Sequence, residues 1–170
     1  MTIVTDEPRR AAAPAGSAGH APEIVLVGAT LTGNRGAESM LQAAVQRIPE
    51  FAPGARFTLL SLYPAADRAE NRNPELRIVA FSPVHMLAVA LPCAIVAGLL
   101  RVLRLPYRRV LPKSLRAMAR ADLVVDLSGI SFVDERGVIV AYNAMVVLLP
   151  VLVGTPLLKY AQALGRFANG

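Results

Sequence analysis

Apolar residues along this chain alternate between short unbroken runs and stretches with helical spacing. Ile24-Val25-Leu26-Val27 is an apolar run ending in Gly28, the pattern of a buried parallel strand. A polar, glycine-containing loop follows, from Ala29 to Gly36. From Ala37 to Arg47 the apolar positions Met40, Leu41, Ala44 and Val45, with Ile48 just beyond, recur at helical spacing. Strand, glycine loop and helix together read as the opening of a Rossmann-type unit.

The alternation continues. Phe57 to Leu62 and Arg77 to Phe81 read as strands, with loop chemistry between them at Pro64, Asn71, Asn73 and Pro74. Leu115 to Ala121 reads as a short helix leading into a fourth strand, Asp122 to Leu127, which ends in Ser128-Gly129. Val138 to Leu149 reads as a helix, closed by Pro150 and Gly154, and Thr155 to Tyr160 as a fifth strand. Strands alternating with helices predict an α/β domain with a Rossmann-like, mostly parallel sheet covered on both faces. Ligands on such sheets sit at the carboxyl ends of the strands. Three polar loops fall at that edge: Gly28 to Gly36, Ser128 to Gly137, and Gln162 onward.

Residues 1–22 are rich in Ala, Pro, Gly and Ser and hold no apolar core of a signal peptide; they read as a disordered tail, with the domain spanning 23–170. With 170 residues the chain is long enough to bury one ordinary core. Cys93 is the only cysteine, which rules out an internal disulfide and fits a reducing, cytoplasmic compartment. It sits among Ala, Ile and Val and reads as a small buried hydrophobe. Net charge is +6, and no acid occurs between Arg77 and Asp122. Such a block either forms a solvated basic face or favours an anionic neighbour.

Hydrophobic residues make up 54% of the chain, and the excess lies in two runs. The first, an apolar insert over 84–105, holds Pro92 and is followed by Arg108. Met86 to Leu100 has no charge, but fifteen helical residues reach only about 22 Å against a bilayer core of about 30 Å. Three outcomes stay open: a helix lying on an anionic membrane, a buried helix, or a membrane span. The second run, Val138 to Val153, contains Tyr142 and Asn143 and fits a core helix.

Some chemistries are excluded. Gly28 and Gly33 have P-loop spacing, but Asn34-Arg35 follows instead of Lys-Ser/Thr. The Rossmann dinucleotide fingerprint fails because Thr30 stands at the second glycine. No His, Cys and carboxylate cluster has metal-ligand spacing, so neither metal nor cofactor is expected. His85 reads as structural. The basic block carries one aromatic, Tyr107, and no nucleic-acid motif, so no nucleic-acid partner is expected.

Three segments carry a resemblance. They are Gly33-Asn34-Arg35-Gly36-Ala37-Glu38, Asp126-Leu127-Ser128-Gly129-Ile130-Ser131-Phe132 with Asp134, and Thr155 to Gly165 with Lys159 and Gln162. In order and spacing they resemble the polysaccharide pyruvyl transferase family, over about Glu23 to Phe167. The resemblance implies the N-terminal domain of a two-domain fold like that of the GT-B glycosyltransferases. It implies phosphoenolpyruvate as donor, held largely by basic residues of the second domain, and a sugar or lipid-linked sugar of a cell-surface polysaccharide as acceptor. The product is a pyruvate ketal. The chain departs from the family at Arg166, where proline is common, and in the insert over 84–105. It therefore reads as a truncated half, inactive without its second domain, in the cytoplasm or on the inner face of the cell membrane.

Candidate roles follow from the chemistry. Addition to the enol ether needs an acid at the methylene carbon and a base at the attacking hydroxyl, for which Asp126, Asp134 and Glu38 are candidates. Asn34 and Gln162 can orient sugar hydroxyls, with Ser128 beside them, and Arg35 and Lys159 can meet a carboxylate or phosphate. Gly33, Gly36 and Gly129 permit close backbone approach. Structural readings compete: Glu38 as a first-turn helix acid, Asp126 as a loop cap, Lys159 as a strand-edge charge. The alternative function is a non-catalytic module that binds a membrane surface or a sugar.

Overall fold

The computed structural model describes residues 20–108, 111–128, 130–132, 137–160 and 163–164. Residues 1–19, most of the expected tail, lie outside them.

Five strands form one all-parallel sheet: β1 (Glu23–Val27), β2 (Arg56–Ser61), β3 (Leu76–Ala80), β4 (Leu123–Asp126) and β6 (Leu157–Lys159), in the order β3-β2-β1-β4-β6. A two-stranded parallel pair, β5 (Ile130–Phe132) with β7 (Ala163–Leu164), stands apart. As expected, β1 lies in the middle, and the runs at 123–126 and 157–159 join its sheet. The fold is α/β and Rossmann-like. β1 is almost wholly buried because both its faces are covered, which is why its sequence is an unbroken apolar run.

One face of the sheet is covered by α1 (Arg35–Phe51). Leu41 and Ala44 of α1 pack on Ile24, Leu26, Phe57, Leu59 and Val125. The other face carries a larger layer: α3 (Pro83–His85), a π-helical turn (Met86–Ala90), α4 (Leu91–Val102), α5 (Lys113–Arg120) and α6 (Gly137–Val153). Met86 and Ala90 of the π turn and Ala94 and Ala97 of α4 form one buried stripe, against Val25, Val27, Leu60 and Phe81 of the sheet side and Val146 and Leu149 of α6. Burial of a side chain such as Phe81 contributes about 1.5–3 kcal/mol.

The apolar insert is thus one helical stretch, Pro83–Val102, with one face committed to the core. The π turn ends where Leu91 N–H bonds the Met86 carbonyl, one residue before Pro92. Proline cannot donate to the helical ladder, and a π turn is one way to absorb that break. A second difference from expectation is α2 (Pro64–Glu70), in a stretch read as loop. Pro64 opens the helix, and Ala65, Ala66 and Ala69 favour its continuation.

Candidate functional site

In this strand order the connections reverse direction between β1 and β4, and the carboxyl ends of strands at such a reversal are where ligands bind on sheets of this kind. Three chain segments meet there: Gly28 after β1, Asp126 to Ser128 at the end of β4, and Lys159 at the end of β6. Register places Val27 beside Asp126 and Asp126 beside Lys159.

Asp126 is fully buried. Its Oδ1 accepts from the Ser128 N–H at 2.9 Å and the Ser128 hydroxyl at 2.5 Å. Its Oδ2 accepts from the Lys159 ammonium at 2.7 Å. Gly28 holds a positive φ of 75°, and a Cβ there would run into the Ser128 hydroxyl. A glycine at the end of β1 is therefore required for β4 to bring Asp126 and Ser128 this close. With both carboxylate oxygens occupied, Asp126 acts on its neighbours: it turns Ser128 inward and fixes the Lys159 ammonium. Lys159 keeps 30% of its side chain exposed and is the cation of this pair that solvent, or a ligand, can reach.

Tyr142 of α6 adds a hydroxyl. Its oxygen is buried and makes no hydrogen bond among the described residues. Burial, helped by the negative charge of Asp126, pushes its pKa up to about 12, so it is a neutral phenol at physiological pH. The sequence places Tyr142 in a core helix; only the folded chain sets it within reach of Asp126's field.

The loop from β1 to α1 is organised by a residue that the sequence did not single out. Asp67 of α2 is fully buried. It accepts from the Thr30 hydroxyl at 2.7 Å, the Leu31 N–H at 2.9 Å, the Thr32 hydroxyl at 3.0 Å and the Ser61 hydroxyl at 2.5 Å. Burial alone would raise its pKa, but the bonds from Ser61, Thr30, Thr32 and Leu31 outweigh that and hold it below the usual carboxylate value. No local pattern marks Asp67; the available hint is a loop with two threonines that needs an acceptor from elsewhere.

The remaining predicted residues divide. Asn34 is the N-cap of α1: its Oδ1 accepts from the Gly36 and Ala37 N–H groups, so only its amide NH2 stays available to a ligand. Gly33 takes a positive φ of 76° just before it. Arg35 and Gly36 are exposed at the start of α1. Glu38, in the first turn, accepts from Gln42 at 3.0 Å and faces a different cleft, of about 420 Å³, with Asn71, Arg72 and Asn73. Asp126, Ser128 and Lys159 do not line that cleft. Gly129, Asp134 and Gln162 lie outside the described residues. The structure therefore gathers Asp126, Ser128 and Lys159 and sets Glu38 apart.

Chemically, the gathered group offers one accessible ammonium held on a buried carboxylate, which suits a polar or anionic ligand. No protein-family model, curated protein or solved structure matches this chain.

Proposed function

We propose that this chain is the acceptor-side domain of a transferase that moves pyruvate from phosphoenolpyruvate onto two hydroxyls of a cell-surface sugar as a ketal. The observation that carries the reading is the meeting of two of its three motif-bearing segments: Asp126 and Ser128 of the second and Lys159 of the third adjoin at the carboxyl ends of β4 and β6, beside Gly28 at the end of β1.

The reaction has two additions. One sugar hydroxyl adds to the phosphate-bearing enol carbon of the donor while the methylene carbon takes up a proton. The second hydroxyl then displaces phosphate and closes the ketal. Lys159 suits the donor carboxylate or a phosphate of the acceptor, and Ser128 suits a sugar hydroxyl. Asp126 keeps both in place through direct hydrogen bonds. In the family that the motifs resemble, the donor is held largely by a second domain, so the acceptor is the ligand this edge would take by itself.

The test is binding of a matched pair of oligosaccharides by saturation-transfer NMR, one with two free neighbouring hydroxyls and one with the same hydroxyls blocked as a pyruvate ketal. The proposal expects the free sugar to bind and the blocked one to bind more weakly. It also expects Lys159→Met to weaken the free sugar. Equal binding of both sugars, unaffected by Lys159→Met, would remove the support for a transferase acceptor site.

A further inference from the structure

The helical layer formed by α3, the π turn, α4, α5 and α6 has an unusual outer surface. A surface helix of a soluble domain normally turns its polar side outward. Here the buried stripe is Met86, Ala90, Ala94 and Ala97, and the opposite, exposed side is Ala88, Pro92, Ile95, Val96, Leu99 and Val102. Ile95 is 55% exposed, Leu99 61% and Val102 80%. α6 continues the patch: Gly98 of α4 packs on Leu152, and Ala144, Leu148 and Val151 form the exposed side of α6 next to it. Contiguous apolar surface of this kind marks an interaction site.

Charge identifies what covers it. The segments 83–120 and 137–153, which make up this layer, contain no Asp or Glu. Arg101 and Arg104 stand exposed at the end of α4, Arg108 just beyond, and Lys113 and Arg120 on α5. None of these five makes an ion pair among the described residues. The opposite side of the sheet differs: α1 balances Arg35 and Arg47 with Glu38 and Glu50. Beside α5, a groove about 470 Å³ in volume takes in Arg77, Lys113, Arg116 and Arg120 against the single acid Glu23. The helices on this side of the molecule thus carry an apolar outer face and charges that are all cationic.

We infer that the α4–α6 face docks flat on an anionic phospholipid surface, with the apolar stripe in the headgroup boundary and the cations on lipid phosphates. The helix Pro83–Val102 has the length to cross a bilayer, about 30 Å, but crossing would pull Met86, Ala90, Ala94 and Ala97 out of the core. Lying in the interface leaves that core intact. This inference is independent of the transferase reading.

The experiment is flotation of the full chain with vesicles of phosphatidylcholine alone or with added phosphatidylglycerol. Flotation is expected only with the anionic vesicles, and less of it at high salt. Ile95→Glu with Leu99→Glu should abolish it while the circular dichroism spectrum stays unchanged. Lys113→Gln and Arg120→Gln should each weaken it about fivefold, whereas Arg47→Gln on the opposite side should not. Three results would overturn the inference. They are failure to float with either vesicle, a lipid-free dimer in sedimentation that Ile95→Glu with Leu99→Glu dissociates, and resistance to alkaline carbonate extraction, which would mean insertion across the bilayer.

Discussion

The Lys159 ammonium lies 2.7 Å from Oδ2 of Asp126, a carboxylate with no solvent exposure, on adjacent parallel strands in direct register. Removing Lys159 deprives the buried Asp126 carboxylate of this cation, and breaking a buried pair costs about 3–5 kcal/mol. Lys159→Met is therefore expected to destabilise the chain by about 3 kcal/mol in urea unfolding. Asp126→Asn combined with Lys159→Met should recover part of that loss, because no charge then remains buried. Additive losses in the double variant would show that the two side chains are not coupled.

Asp67 predicts the acid limb of stability. Its folded pKa lies below its unfolded value, so its contribution is present above about pH 4 and is lost as pH falls through the folded value. Asp67→Asn should flatten that limb and cost about 2 kcal/mol at neutral pH, since an amide cannot accept from all four donors. Thermal unfolding between pH 2 and pH 7 checks both.

Tyr142 predicts the alkaline limb, with the opposite sign. Its folded pKa is about 12 and its unfolded value about 10, so the folded chain holds the proton longer. Stability is complete below about pH 10 and falls as pH rises toward 12. Tyr142→Phe should remove this fall. At pH 7 it should be neutral or stabilising, because the lost hydroxyl is buried without a hydrogen bond among the described residues. A fall of the same size in Tyr142→Phe would assign the alkaline limb to other groups.

Arg104 carries the chain out of α4 with φ of 58°, a left-handed conformation, while the Leu105 N–H bonds the Leu100 carbonyl. Glycine is the usual residue at this position of a helix end. Arg104→Gly is expected to stabilise the chain by about 1 kcal/mol while weakening flotation with anionic vesicles. A variant that is both less stable and equally well bound would contradict both expectations.

The sequence and the fold agree where local pattern decides. Ile24 to Val27 is apolar throughout because both faces of β1 are covered, and the same holds for Val124 and Val125 of β4. The helix at Pro64 escaped notice because polar residues and proline also describe a loop. Whether the Pro83–Val102 stretch lies in the core, in a membrane or between them was not legible, since composition is the same in each; Met86, Ala90, Ala94 and Ala97 settle only which face meets the sheet. At the site, Lys159 and Asp126 were both visible as polar residues closing apolar runs, but their pairing depends on β4 and β6 being neighbours. Asp67 was invisible because its partners Thr30, Leu31 and Thr32 are more than thirty residues away.

The most direct test of the account is an amide chemical-shift map of the chain, titrated with an oligosaccharide that carries two free neighbouring hydroxyls. The account predicts shifts centred on Gly28, Ser128 and Lys159 that vanish in Lys159→Met. Shifts centred instead on Glu38, Gln42 and Asn71 to Asn73, or none at saturating sugar, would contradict it.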